Sequence, residues 1–165
     1  MTATCIMPDL LQLTKSTLAT VSSILDQATQ NLRADVVENG RICTVALETH
    51  QDTAHALSWL ATYSQALQQM QNWAERLNDD GKFGEIEQLI LQIAFGEYLA
   101  QIAGGIPMSQ GEIARLQDFD LSLPETAEIT ALLADGNTTP ARSRLVELMQ
   151  DNIGHATFGA TGLDE

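Results

Sequence analysis

Apolar residues recur at alternating steps of three and four along two long stretches of the chain, and this spacing predicts two long helices. The first stretch starts at Pro8-Asp9 and ends near Gly40, and the second begins soon afterwards and ends at the turn-forming residues 78–81. A short connection between long helices predicts antiparallel neighbours. The first stripe is Leu11, Thr14, Leu18, Val21, Leu25, Ala28 and Leu32, and the second is Ala56, Leu60, Tyr63, Leu67, Met70, Ala74 and Leu77.

A third helix is predicted from about residue 82 to residue 104, and its apolar side chains cover more than one face. We therefore expect this helix at the centre of a bundle. Gly84 and Gly96 would each cost ~1 kcal/mol relative to alanine in a helix interior. A neighbouring backbone that approaches closely would compensate for that cost.

Turn-forming residues at 104–107 end the third helix. Ser109 is then predicted to cap a short helix that runs to Leu116, and Glu112 would complete a capping box with it. No alternation typical of β-strands is recognised along the chain.

Two more helices are predicted, one over residues 125–134 and one that Thr139 caps, with Pro140 at its first position. The predicted fold class is all-α: an up-down helical bundle with extra short C-terminal helices. We expect one domain over residues 1–151, followed by a linker or tail at 152–165.

Composition and charge narrow the classes of partner. The formal net charge of −14 disfavours a nucleic acid or an anionic membrane as partner, because both would repel the chain. Neither a signal peptide nor an apolar run long enough to cross a bilayer is recognised, so a cytoplasmic location is expected. Cys5 and Cys43 stand outside any metal-binding spacing and are expected as free thiols in a reducing compartment.

Candidate chemistry is sparse in this sequence. Glu48, Asp52 and His55 share one face of the second helix, but a di-iron bundle needs a second acid-x-x-His pair, which is not found. We therefore interpret this face as solvated charge and predict no metal site. No nucleophile elbow or phosphate-binding loop is recognised either, and no residue is assigned a catalytic role.

The end of the third helix carries one candidate binding motif. Gln101 is followed by Gly104 and Gly105, and the simplest interpretation is a helix that glycine terminates. Paired glycines can also let a polar ligand approach the backbone, since glycine presents no Cβ.

Residues 44–119 resemble the C-terminal four-helix domain of the acyl-CoA dehydrogenases. In that family a long helix leads into Gln-x-x-Gly-Gly-x-Gly, which lines the pocket for the ADP part of FAD, commonly across a dimer interface. The resemblance implies this cofactor-binding role for Gln101, Gly104 and Gly105. Two departures weaken the match: Pro107 replaces the third glycine, and Gly111 stands where some members have a catalytic glutamate.

The segments 61–67, 83–93 and 104–111 resemble the extra N-terminal region of one subgroup, the (2S)-methylsuccinyl-CoA dehydrogenases, flavoproteins that oxidise methylsuccinyl-CoA to mesaconyl-CoA. The resemblance implies a non-catalytic N-terminal helical domain with a structural or assembly role. Its expected partner is a catalytic acyl-CoA dehydrogenase region in the same chain, and the resemblance also allows a second copy in a homodimer. It also implies no cofactor in the isolated domain and FAD in the parent enzyme.

The sequence also suggests where the domain would contact the catalytic region, and it leaves one alternative function open. The apolar third helix, Trp59 and Trp73 are candidate contacts with the catalytic region. A free-standing acidic interaction protein is the alternative function, in which an acidic face would recruit a basic partner.

Overall fold

The computed structural model describes residues 5–153 of the chain, and it confirms the all-α class, since short hairpins are the only strands in this part. The helices are α1 (Leu10–Val36), α2 (Thr44–Thr49), α3 (Gln51–Asp79), α4 (Glu85–Gly104), α5 (Ala127–Ala131) and α6 (Thr139–Asp151). The strands are β1 (Val37–Glu38), β2 (Arg41–Ile42), β3 (Ile106–Ser109) and β4 (Glu112–Ala114). Residues 154–165, most of the predicted linker, lie outside the described residues.

The two long helices α1 and α3 pack as antiparallel neighbours, as predicted. The hydroxyl of Thr14, near the start of α1, donates to the amide oxygen of Gln71, near the end of α3, over 2.7 Å. One turn further along α3, Lys15 and Glu75 form an exposed ion pair at 3.0 Å. Most of both predicted apolar stripes is buried between the helices.

Helix α4 lies at the centre of the bundle, which confirms the expectation from its apolar circumference. The side chains of Leu89, Leu91, Phe95 and Leu99 are 0% exposed. Since α3, α6 and the turn before α6 all pack against α4, most of its large apolar side chains are covered, while Ile86, Ile90 and Ile93 are half-buried. The predicted contact of this helix with a catalytic region stays a prediction, and the half-buried isoleucines are the part of α4 left for it.

At Gly96 the backbone of another segment approaches α4 closely. An ideal Cβ at residue 96 would lie 2.7 Å from the backbone nitrogen of Asn137 and 3.0 Å from the carbonyl carbon of Gly136. The predicted close approach is thus confirmed at Gly96. Gly84 is different, because it is the N-cap of α4 and not an interior residue.

The connection after α1 is a β-hairpin that the sequence prediction missed. Val37 pairs with Ile42 and Glu38 with Arg41, and the turn residues Asn39 and Gly40 have φ values of 50° and 75°. Positive φ at both central positions is the requirement of a two-residue hairpin turn, and Asn-Gly meets it well. Gly40 therefore reverses the chain in a turn, where the prediction took it for a helix stop.

The helix predicted from Ser109 to Leu116 was wrong. This segment is the hairpin of β3 and β4, in which Ile106 pairs with Ala114 and Ser109 with Glu112. The pairing buries Ile106 and Ala114 against the bundle, at 2% and 3% exposure. A helix would gain one capping box, whereas the hairpin buries apolar residues from both of its ends.

The predicted helices after residue 125 are confirmed with small shifts. Thr126 caps α5, which continues into a π-helical turn at Leu132–Gly136. Thr138 caps α6 one residue before the predicted Thr139, and Pro140 lies in the first turn. The second predicted helix is divided at His50 into α2 and α3.

Two threonines on the buried face of α1 give a matched stability prediction. The Thr14 hydroxyl has partners in Leu10, Leu11 and Gln71, while the buried hydroxyl of Thr17 has none among residues 5–153. We expect Thr17→Val to raise the free energy of unfolding by about 1 kcal/mol, and Thr14→Val to lower it by a similar amount. Urea denaturation of both variants checks this, and equal effects of both would contradict it.

Candidate functional site

The candidate motif lies at the C-terminal end of α4, beside α3 and the second hairpin. Gln101 is half-buried, and its side-chain oxygen accepts a hydrogen bond from the hydroxyl of Tyr63 on α3. Its backbone oxygen accepts the N–H of Gly105 at 2.7 Å, which closes the helix. Among the described residues the side-chain nitrogen of Gln101 has no partner, so it can donate to another molecule.

The two motif glycines have different surroundings. At Gly104 an added Cβ would meet no atom within 4 Å, so its exposed backbone is open to approach. At Gly105 φ is 123°, and a Cβ would collide with the Cγ2 methyl group of Ile113 on β4. Gly105 is therefore needed by the hairpin packed on the helix end, whatever else the motif does.

A cleft of about 340 Å³ lies between the start of α3 and the second hairpin. Its lining is Asp52, Thr53, His55, Met108, Glu112, Ile113 and Asp118. The fold thus brings Asp52 and His55 close to two other acidic residues, while Glu48 does not line this cleft. Within residues 5–153, no three or more His, Cys, Asp or Glu side chains are grouped closely enough for a metal ion.

Two polar groups of this cleft are already used within the protein. The indole N–H of Trp59 donates to Nε2 of His55 at 3.1 Å, and the backbone N–H of Arg115 donates to Oδ2 of Asp118 at 2.7 Å. The remaining carboxylates make the cleft acidic, which disfavours an anionic ligand.

The Tyr63 phenol has an altered acidity. Burial raises the pKa of Tyr63 above its ordinary value of 10.0, and the nearby Tyr98 and Glu97 add to this shift. The ring of Tyr98 lies 4.7 Å from that of Tyr63, between centroids. Tyr63 therefore stays protonated at neutral pH and remains a donor to Gln101.

The described residues do not by themselves fit the diphosphate of FAD. The end of a helix presents carbonyl oxygens and partial negative charge, whereas phosphates bind well at helix N-termini. Pro107 has no N–H to donate, and the N–H of Gly105 is already bound to Gln101. The free donor of Gln101 and the open backbone of Gly104 fit a neutral polar group, such as a sugar hydroxyl.

Substituting Tyr63 with Phe tests the link between α3 and α4. At neutral pH we expect Tyr63→Phe to lower the free energy of unfolding by about 1 kcal/mol, since one half-buried hydrogen bond is lost. The raised pKa of Tyr63 means that the parent loses stability as pH rises above 10.0 and through the folded-state value. The Phe variant lacks this loss, so the difference between the two proteins shrinks in alkali.

Urea denaturation at neutral and alkaline pH, with tyrosinate absorbance, checks this prediction. Tyr98→Phe is the matched control, because Tyr98 shares the ring contact but donates to no described residue. A constant difference between Tyr63→Phe and the parent at all pH values would contradict the expected acidity.

The two tryptophans that were predicted as contacts with the catalytic region are not fully exposed. Trp59 and Trp73 are half-buried and pack against the core, so neither is a freely exposed anchor. The large apolar side chains that are most exposed lie elsewhere, on α2 and its hairpin, and at the end of α6. From its helical spacing, Tyr63 was predicted as a member of the apolar stripe of the second helix. The only signal for its bond to Gln101 is general, since a buried phenol needs a hydrogen-bond partner.

The cysteines and the helix lengths of the described part of the chain bear on two further expectations. No disulfide joins Cys5 and Cys43, both of which are half-buried. Each described helix falls short of the length and apolarity needed to span a bilayer.

No family model matches this chain. A search of known proteins finds the (2S)-methylsuccinyl-CoA dehydrogenase of Cereibacter sphaeroides, which is 54% identical over 166 residues. The match covers 100% of this chain, but the chain spans only 30% of the length of that relative. Over its whole length the chain is therefore similar to the N-terminal part of a (2S)-methylsuccinyl-CoA dehydrogenase, which confirms the resemblance that its sequence suggested.

Proposed function

We propose that this chain is a non-catalytic N-terminal helical domain of an FAD-dependent acyl-CoA dehydrogenase-like enzyme, with a structural or assembly role. The observation that carries this proposal is the identity of 54% across the entire chain to the N-terminal part of one such enzyme. Identity at this level over the whole chain supports the same position, at the N-terminal end, in a similar enzyme.

The name of the relative supports a more specific proposal for the parent enzyme. It would be a cytoplasmic flavoprotein oxidoreductase that oxidises (2S)-methylsuccinyl-CoA. The oxidation would remove two hydrogens from the acyl chain, and FAD held by the catalytic region would supply their acceptor. The catalytic region in the same chain is the proposed partner, while the net charge of −14 disfavours nucleic acid and membrane.

A structural role is favoured by the chemistry at the end of α4. The motif residues are largely used in joining α4 to Tyr63 and to the second hairpin. Within the proposal, Gln101 and Gly104 are the residues that could face a nucleotide held by the catalytic region. Ile113 fills the space beside Gly105 where a side chain would lie. In the proposed cofactor-binding role, Gly105 would therefore contact the nucleotide through its backbone alone.

A hybrid enzyme tests the proposed function. In this hybrid the chain replaces the matched N-terminal part of the Cereibacter sphaeroides enzyme. We expect the purified hybrid to carry flavin, seen by its visible absorption, and to oxidise (2S)-methylsuccinyl-CoA with an added electron acceptor. The isolated chain is expected to stay colourless in an FAD titration.

Two outcomes would contradict the proposal. A hybrid that folds without flavin would show that this chain cannot serve as the N-terminal domain. Tight FAD binding by the isolated chain would show that the domain is more than a structural part. The alternative, an acidic interaction protein, gains support if the hybrid fails and a basic partner elutes from the chain at high salt.

A further inference from the structure

Helix α6 has one apolar face turned toward the bundle and a second apolar row turned away from it. Ala141 is fully buried, and Leu145 and Leu148 are half-buried on the inward side. On the outward side Val146 is 52% exposed and Met149 is 53% exposed. A helix that closes a monomeric bundle normally keeps this second face polar.

The outward row continues past the helix end. Ile153 lies in the turn after α6, four residues beyond Met149, and is 79% exposed, the largest value among the exposed large apolar residues of the described chain. Val146, Met149 and Ile153, called the α6 row below, are thus spaced at three and four residues. Val146 and Met149 have the spacing with which a helix presents anchors to an apolar groove, and Ile153 extends the exposed apolar surface into the following turn.

The orientation of the α6 row is fixed by contacts on the other side of the helix. Arg144 donates to both carboxylate oxygens of Glu85 on α4, at 2.8 and 2.9 Å. This contact lowers the pKa of Glu85, so the pair stays ionised at neutral pH. The Thr138 hydroxyl caps the helix start, and the side chain of Asn152 donates to the carbonyl of Leu148 at its end.

We propose that the α6 row is the docking surface for the catalytic region that follows this domain in the parent enzyme. This inference rests on the proposed function. The larger part of the relative lies outside the matched length, and α6 is the last helix described before the chain would lead into that part. In the proposed parent enzyme, residues 154–165 would be the tether between this row and the catalytic region, and a tether of that length makes the entropic cost of docking small.

The chemistry of the row specifies its partner. Three apolar side chains require an apolar groove, and the exposed carboxylates of Glu147 and Asp151 beside them favour basic residues at its rim. The acidic balance of the whole chain, at −14, supports a basic rim as well.

A second exposed apolar pair offers a matched control. Ile42 on β2 is 65% exposed and Val45 on α2 is 71% exposed. Both residues are far from the α6 row in the sequence. If exposure alone determined docking, this pair would respond as strongly as the α6 row.

The test uses hydrogen–deuterium exchange on the hybrid enzyme described above, compared with the isolated chain. We expect amide exchange within α6 to slow by about tenfold or more in the hybrid, because docking suppresses local opening of the helix. The double variant Val146→Glu, Met149→Glu should return the exchange in α6 to the rate of the isolated chain. Val45→Glu should leave the protection of α6 intact.

The outcomes separate this inference from the proposed function. If the unmodified hybrid carries no flavin, the proposed function fails, and the inference fails with it. If the hybrid is active but α6 exchanges as in the isolated chain, only the docking surface is wrong. A concentration-dependent dimer of the isolated chain that the double variant dissolves would assign the row to a second copy and overturn the proposal.

Circular dichroism of the isolated variants guards against simple unfolding. Because Val146 and Met149 are more than half exposed, the double variant should keep the helical signal and the melting temperature of the parent within a few degrees. A variant that melts much earlier would show that the row supports the bundle itself, which would also overturn the proposal.

Discussion

Replacing Gln92 with Leu is expected to destabilise the bundle by about 3 kcal/mol, because several buried polar groups lose their partner at once. Gln92 is 0% exposed on the central helix α4. Its side-chain oxygen accepts the backbone N–H of Met7 at 2.8 Å, and its side-chain nitrogen donates to the carbonyl of Cys5 at 3.0 Å. The same nitrogen lies 3.3 Å from the carbonyl of Gly136. Leu has nearly the volume of Gln but can satisfy none of these groups.

Urea denaturation gives the change in free energy of unfolding, and hydrogen exchange shows where the protein opens. We expect the turn before α6 to exchange faster in Gln92→Leu, since its carbonyl anchor is lost. Gln12→Leu is the matched control, because Gln12 is exposed and bonds only to Ser16 within its own helix. Its effect should stay within about 0.5 kcal/mol. A change at Gln92 as small as that at Gln12 would show that the buried network contributes nothing.

The substitution Gly96→Ala is expected to lower the free energy of unfolding by about 2 kcal/mol, the net of two opposing effects. Alanine improves helix propensity by ~1 kcal/mol. Its methyl group, however, would lie 2.7 Å from the backbone nitrogen of Asn137, so the turn before α6 must move. Overpacking of this kind costs about 1–3 kcal/mol or more, and here backbone and not a flexible side chain stands in the way.

Gly104→Ala is the control for Gly96→Ala, because it has the same chemistry and nothing within 4 Å of the added methyl group. It should be neutral or raise the melting temperature slightly. Thermal denaturation measures both variants, and for a chain of this size about 2 kcal/mol corresponds to a shift of roughly 4–8 °C. If Gly96→Ala were stabilising, the contact between α4 and the turn before α6 would be looser than the structure has it.

The long helices could be predicted from the sequence because the apolar pattern that identifies each one is complete within a few helical turns. The stripes of α1 and α3 and the all-round apolar pattern of α4 each depend on neighbouring residues alone. The close approach at Gly96 was also foreseen, since a glycine in a helix interior needs a reason.

The hairpins could not be recognised in the same way. Their strands have two to four residues, too few to show alternation, and their turns hold glycines that also end helices. Ser109 and Glu112 have the letters and spacing of a capping box, yet they face each other across a strand pair. The burial of Ile106 and Ala114 favours the hairpin over the helix, and this burial depends on the packed bundle.

The candidate site shows the same limit. Gln101, Gly104 and Gly105 could be singled out by their order in the chain, but their partners could not. Tyr63 is 38 residues away on α3, and Ile113 belongs to a hairpin that was expected to be a helix. Local patterns predict helices well, whereas contacts between elements require the packed structure.

The glycine at position 105 has an evolutionary consequence. Its positive φ and the Ile113 methyl group beside it exclude any larger residue, even with no ligand present. A domain of this fold that bound no nucleotide would still be selected to keep this glycine, and Gln101 would be kept by its bond to Tyr63. Packing alone can thus preserve a glutamine followed by two glycines at the end of a helix, whether or not a cofactor is bound there.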